Sequence, residues 1–301
     1  MMQFYYSGQE ILGQVEFSLT EAKQYKFVEL RLFGQAVVEI YELIHNQATG
    51  TSERREHRAT ETYVDKTLDL WDQRLSPERK IGPGNYSFPF QFTLPKKCQS
   101  SYPKPGFEWL GNSSIEYSLC AKIVTGELLT VDPKVTIPLK VRKVTDSNRP
   151  NFMWPSHQSR HMQVGCCCCT AGEMQFSVDV LRTGACIGKN FPMTVNVQNS
   201  SSRRGIYMSA SMQRKWTYHV GEFTKEKYDT IASAASPEID PYSEYTWEAD
   251  NFVIPFDALP TMEECDLLKA EDTLYVTANI PWGVDESVSM PVFVGNVPFQ
   301  A

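Results

Sequence analysis

Short runs of alternating apolar and polar residues, closed by turn residues, recur along the whole chain and constrain its fold more than any other feature. Val28, Leu30 and Leu32 alternate with Glu29 and Arg31. The same period of two carries Phe88, Phe90, Phe92 and Leu94, then Met174, Phe176, Val178 and Val180. It returns at Met193, Val195 and Val197, at Leu274, Val276, Ala278 and Ile280, and at Met290, Val292 and Val294. Successive side chains of a strand point to opposite faces, so each run predicts a strand with one apolar and one wet face. Turn residues separate the runs: Ser7-Gly8, Gly82-Pro83-Gly84-Asn85, Thr183-Gly184, Asn199 to Ser202 and Pro281-Trp282-Gly283. Gly84 and Gly184 are expected at positive φ. Nothing alternates strand with helix, which argues against a doubly wound nucleotide-binding fold and for an all-β sandwich or barrel.

The 301 residues, 42% of them hydrophobic, suffice for two domains of about 150 residues with a core each. The break is expected at Thr145-Asp146-Ser147-Asn148-Arg149-Pro150, giving domains 1–147 and 148–301. Val135 to Val141 reads as a closing strand before it, and Asn151 to Thr170 has no clear period after it. Two stretches read as long loops: Ile44 to Thr62, rich in charge, and His219 to Tyr245, rich in Ser, Ala and Glu. A net charge of -7 argues against a general basic face and so against nucleic acid as a partner. No run approaches the roughly 18 apolar residues of a membrane span. Met1 to Glu10 lacks the pattern of a secretory signal, so the eight cysteines read as reduced cytoplasmic thiols.

Several segments, in order, resemble the arrestin domain pair. Tyr6-Ser7-Gly8-Gln9-Glu10 with Gly13-Gln14-Val15 resembles that family's opening Y-x-x-G block, and Val28 to Ala36 with Gly34 its second strand block. Gly84-Asn85-Tyr86-Ser87-Phe88-Pro89-Phe90-Gln91-Phe92-Thr93-Leu94-Pro95 resembles its F-P-F-x-F-x-L-P signature. Phe107-Glu108, Gly111 and Tyr117 follow in the family's order. Arg182-Thr183-Gly184, Gly188, Asn199 to Arg203, Trp247, Ile254-Pro255, Cys265 with Leu267-Leu268 and Pro291 to Gly295 resemble the second domain. The resemblance spans Tyr6 to Gly295 and is nearest to the α-arrestins.

It implies two tandem immunoglobulin-like antiparallel β-sandwiches, the arrestin N- and C-domain fold. It implies a non-enzymatic cytoplasmic adaptor in membrane-protein trafficking, without a cofactor, recruited to the plasma membrane or endosomes and linked to ubiquitination. Its implied partners are the cytosolic tails of membrane cargo, with ubiquitin-ligase or coat machinery and peripheral membrane contact. There are departures. Family members usually place a further strand before the Y-x-x-G block, where this sequence has Met1 to Tyr5. The phosphate-binding Lys pair of the phosphoreceptor-sensing arrestins has no counterpart there. No P-P-x-Y motif, the usual ligase-recruiting element, is present; Asp240-Pro241-Tyr242 has the wrong spacing. A constitutive subunit of a retromer-like sorting complex is a second reading.

Candidate chemistry rests on three residue groups. Exposed cations can bind phosphorylated tails or phosphoinositide headgroups, and Lys96, Lys97, Lys104, Arg203, Arg204, Arg214 and Lys215 are the candidates. Cys166-Cys167-Cys168-Cys169 suits reversible S-acylation, or with His157 and His161 a zinc site, which makes a metal- or redox-responsive protein the third reading. Four consecutive side chains alternate direction, so at most two of these cysteines can face one ion, and an ordinary thiol-rich segment is the simplest account. A nucleophile could be sought in Cys120 or Cys265 with His219, but no motif with a catalytic mechanism accompanies them.

Overall fold

The strands predicted from the alternating runs pair into five sheets among the described residues. The structure is a computed structural model, and residues 4–21, 25–46, 50–75, 81–125, 132–166 and 169–299 are described. The chain divides into two compact units. The first comprises Met1–Lys143 with Tyr218–Lys225 and Glu264–Leu268; the second comprises Val144–Thr217, Glu226–Glu263 and Lys269–Ala301.

Eight strands build the first unit: β1 (Tyr5–Tyr6), β2 (Glu10–Leu19), β3 (Phe27–Asn46), β4 (Thr51–Asp72), β5 (Gly84–Thr93), β6 (Ser114–Val124), β7 (Lys134–Leu139) and β8 (Val141–Arg142). Strands β4-β3-β6-β7 form an antiparallel sheet, β2 and β5 an antiparallel pair, and β1 and β8 a short parallel pair. Val28, Leu30 and Leu32 are buried as their alternation predicts. Gly34 faces Tyr117 across the ladder, and a Cβ there would come within 2.1 Å of that ring, so glycine is what lets the phenol cross the strand.

The Phe run is divided. Phe92 is buried, whereas Phe88 and Phe90 are only half-buried, because β5 belongs to a sheet of two strands. Pro89, lacking an N–H, is tolerated there.

The second unit contains β9 (Ser156–Cys166), β10 (Cys169–Val180), β11 (Gly184–Cys186), β12 (Met193–Asn199), β13 (Ile206–Val220), β14 (Phe223–Ile239), β15 (Ser243–Glu248), β16 (Leu268–Asn279) and β17 (Glu286–Gly295). The end of β13, the start of β14 and the first residue of β16 lie in segments assigned to the first unit. One sheet has the order β15-β12-β10-β9 and the other β11-β17-β16-β13-β14. One continuous core joins them: Phe176, Val195 and Trp247 from the first sheet, Met208, Met212, Leu274 and Met290 from the second. Burying such side chains contributes about 1.5–3 kcal/mol each and holds the sandwich closed.

Four expectations are corrected. Ile44 to Thr62 is not a loop but the outer part of the β3–β4 hairpin, with Glu39 opposite Arg58 and Glu42 opposite Arg55. Arg54 stacks on the Tyr41 ring at 3.5 Å. Charge that reads as loop composition is here cross-strand pairing on a solvated ladder. His219 to Tyr245 is largely β14, an edge strand whose small and polar residues need cover on one side only. Asn151 to Thr170 contains β9, also an edge, where only Met162 and Val164 are buried among its described side chains. Gly184 does not take a positive φ; a Cβ there would sit 2.8 Å from the Ser147 carbonyl oxygen, so close backbone approach explains it. Gly84 does, at φ 152°.

Candidate interaction surfaces

In the first unit, the segment from Leu94 to Tyr102 is stitched to the residues around β1 and β8. Gly8 N donates to Leu94 O (3.1 Å), and Ser101 N to Val141 O (2.8 Å). Val141 N and Lys143 N in turn donate to Ser101 Oγ (2.9 Å) and Ser100 Oγ (3.0 Å). This framework holds Lys96 and Lys97 exposed at its start. Neither is paired with a carboxylate among the described residues. Lys66 of β4 joins them at the end of β5, its Nζ donating to Thr93 O at 3.4 Å. Lys104 is also exposed but is tied to Asn112 Oδ1 at 3.2 Å. Unpaired ammonium groups on a fixed backbone suit an anionic partner.

The remaining cations separate. Arg203 is half-buried and Arg204 exposed in the turn after β12, with no carboxylate partner among the described residues. Arg214 is removed from the anion-binding set. It is 1% exposed, and its Nε and Nη2 donate to Asp272 Oδ1 and Oδ2 at 2.7 and 2.8 Å. Its Nη1 donates to Leu259 O at 2.6 Å, and Thr261 donates to the same carboxylate at 2.6 Å. Buried and committed to these partners, the guanidinium is not presented to a ligand. Strand parity turns the next residue, Lys215, to the other face, where it pairs with Glu226 at 2.6 Å.

The zinc arrangement of His157 and His161 is also corrected. Both lie on β9, and positions four apart on a strand are roughly 13 Å apart, too far to share an ion. Each instead pairs with β10: His157 Nδ1 with Asp179 Oδ1 at 2.7 Å, His161 Nε2 with Glu173 Oε2 at 3.2 Å. Cys166 and Cys169 are partners in the ladder that ends β9 and begins β10. Cys167 and Cys168 lie outside the described residues.

Four further cysteines are free thiols: Cys98, Cys120, Cys186 and Cys265. Burial pushes the Cys98 thiol up to about 11 and also raises that of Cys265, whose Sγ accepts from Tyr63 Oη at 3.0 Å. A nucleophilic cysteine needs the opposite shift. Among these four thiols, alkylation at about pH 8 followed by peptide mapping should therefore label the partly exposed Cys120 first, and Cys98 and Cys265 only after unfolding. Because the folded pKa of Cys98 lies above the ordinary 9.0, its contribution to stability is present below pH 9 and lost as pH rises toward 11.

Two aromatics that the sequence offers only as parts of a turn and of a non-matching motif are exposed surface groups. Tyr242 and Trp282 are the non-glycine residues at positive φ among those described, at 54° and 58°. They are 72% and 90% exposed. Each follows a proline, the arrangement of a turn with Pro at the second position and a left-handed third residue, and this was the available signal. Holding a bulky side chain in this region costs about 1–3 kcal/mol.

Comparison with known proteins gives a consistent picture. Residues 2–148 match the family model described as "Arrestin (or S-antigen), N-terminal domain", and residues 170–299 match "Arrestin (or S-antigen), C-terminal domain". Arrestin domain-containing protein 4 of Mus musculus is 28% identical over 222 residues, covering 73% of this chain and 51% of that protein. Its Homo sapiens counterpart is 25% identical over 302 residues, covering 98% and 69%. Arrestin domain-containing protein 1 of Homo sapiens is 23% identical over 301 residues, covering 97% and 62%. The chain thus spans about half to two thirds of the length of the curated relatives it matches.

Proposed function

The chain belongs to the arrestin family as an α-arrestin, and from that premise we propose that it is a non-enzymatic adaptor in membrane-protein trafficking. The observation that carries this reading is the tandem match of both arrestin domains, in order, on two β-sandwich units. The adaptor works by recognition. Rigid sandwiches present exposed groups at fixed spacing, and Lys96, Lys97, Arg204, Tyr242 and Trp282 are such groups. The cargo is the cytosolic tails of membrane proteins, engaged at the plasma membrane or endosomes, and the outcome is endocytic or endosomal sorting coupled to ubiquitination. Thiols held neutral by burial at Cys98 and Cys265 support the non-enzymatic part.

Proximity labelling with the intact chain in cells, read by mass spectrometry, tests the proposal. Enrichment of transmembrane transporters or receptors together with ubiquitin ligases or coat proteins is the expected result. A single stoichiometric partner without membrane cargo would overturn it in favour of a fixed complex subunit.

A further inference from the structure

One groove of about 440 Å³ in the second unit combines an apolar strip with two carboxylates, Glu248 and Asp250, that form no ion pair among the described residues. Strand register explains its make-up. His157, Asp179, Thr194 and Glu248 are successive register partners across β9, β10, β12 and β15, so they form one transverse row on a single sheet face. Strands lie about 4.8 Å apart, which makes the row roughly 14 Å long. Just past the ends of these strands, Pro155, Leu181, Pro192 and Asp250 also line the groove. Leu181 is 70% exposed there.

The charge is one-sided. Asp179 is shared with His157 at 2.7 Å, while Glu248 and Asp250 are exposed and form no ion pair among the described residues. Arg182 stacks on the Phe299 ring at 3.6 Å and forms no ion pair with them. A strip with proline and leucine on one side and carboxylates at one end complements an extended segment carrying cations and an apolar residue. Strand β15 is also the edge of its sheet, with backbone groups free on one side for such a segment. Loops on the cytosolic side of membrane spans are enriched in Lys and Arg.

We infer that this groove is a docking site for a Lys/Arg-rich, partly apolar juxtamembrane segment, an inference that rests on the adaptor reading for the source of the peptide. A fluorescein-labelled 12-residue peptide alternating Lys-Arg pairs with Leu, titrated into the purified full chain and read by fluorescence anisotropy, tests it. Saturable binding that weakens with salt is expected, with none for the same peptide carrying Glu for each cation. Glu248→Lys with Asp250→Lys should weaken binding roughly tenfold or more, a loss of about 1.4 kcal/mol per factor of ten. Leu181→Ser should weaken it as well. Charge reversal on the β3–β4 hairpin, Glu53→Lys with Glu56→Lys, should leave it unchanged, and circular dichroism melts should show all variants folded. Equal losses from the groove and hairpin reversals, or absence of binding to the wild-type chain, would overturn the inference. Failure of the adaptor reading looks different: wild-type chain captures no membrane proteins in cells, whatever the peptide does. If cargo capture persists in the groove variant while the peptide never binds, the groove alone is wrong.

Discussion

Replacing Arg214 by methionine is expected to destabilise the protein by about 3–5 kcal/mol. The guanidinium and the Asp272 carboxylate are both almost completely buried and meet in a two-bond fork. Removing the cation strands a carboxylate in the core with only the Thr261 hydroxyl to satisfy it. The cost is the uncompensated charge, not the lost attraction, because a buried pair repays little more than its own desolvation. The double variant Arg214→Met with Asp272→Leu should therefore recover most of the loss. Urea unfolding of the three variants measures this. A single variant within about 1 kcal/mol of wild type would show that water or a neighbouring donor reaches Asp272.

Phe176→Ala should cost about as much, roughly 3–5 kcal/mol. Phe176 is 1% exposed at the centre of the core that joins the two sheets of the second unit. Truncation leaves a cavity that rigid β-strands on both sides cannot collapse to fill. Phe88→Ala is the informative comparison, since both residues sit in equally clear alternating runs. Phe88 is half-buried on a sheet of two strands, so its loss should be clearly the smaller in thermal or urea melts. Equal losses would mean that the inner face of β5 is covered more completely than its exposure indicates.

These two comparisons also mark how far the sequence could be read. The inward positions at Met174 to Val180, Met193 to Val197 and Leu274 to Ile280 were legible because a strand's period is local and short. The long β3–β4 hairpin was not, because its charges are compatible with a solvated loop until Glu39 and Glu42 are seen opposite Arg58 and Arg55. Arg214 and Lys215 read as one basic pair, yet parity sends one into the core and the other to Glu226. The carboxylates of the proposed groove gave no motif at all, since Asp179, Glu248 and Asp250 are brought together only by register.

By itself, then, the sequence determined that the chain is all-β, which residues of the clearly alternating strands face inward, and that its ordered blocks are those of an arrestin domain pair. Tertiary structure alone decided how much cover each inward face receives, which cations are buried and which exposed, and which residues from distant strands share a surface. The physical reason is that side-chain direction is set by neighbouring backbone dihedrals, whereas register, sheet size and burial depend on pairings between segments far apart in the chain.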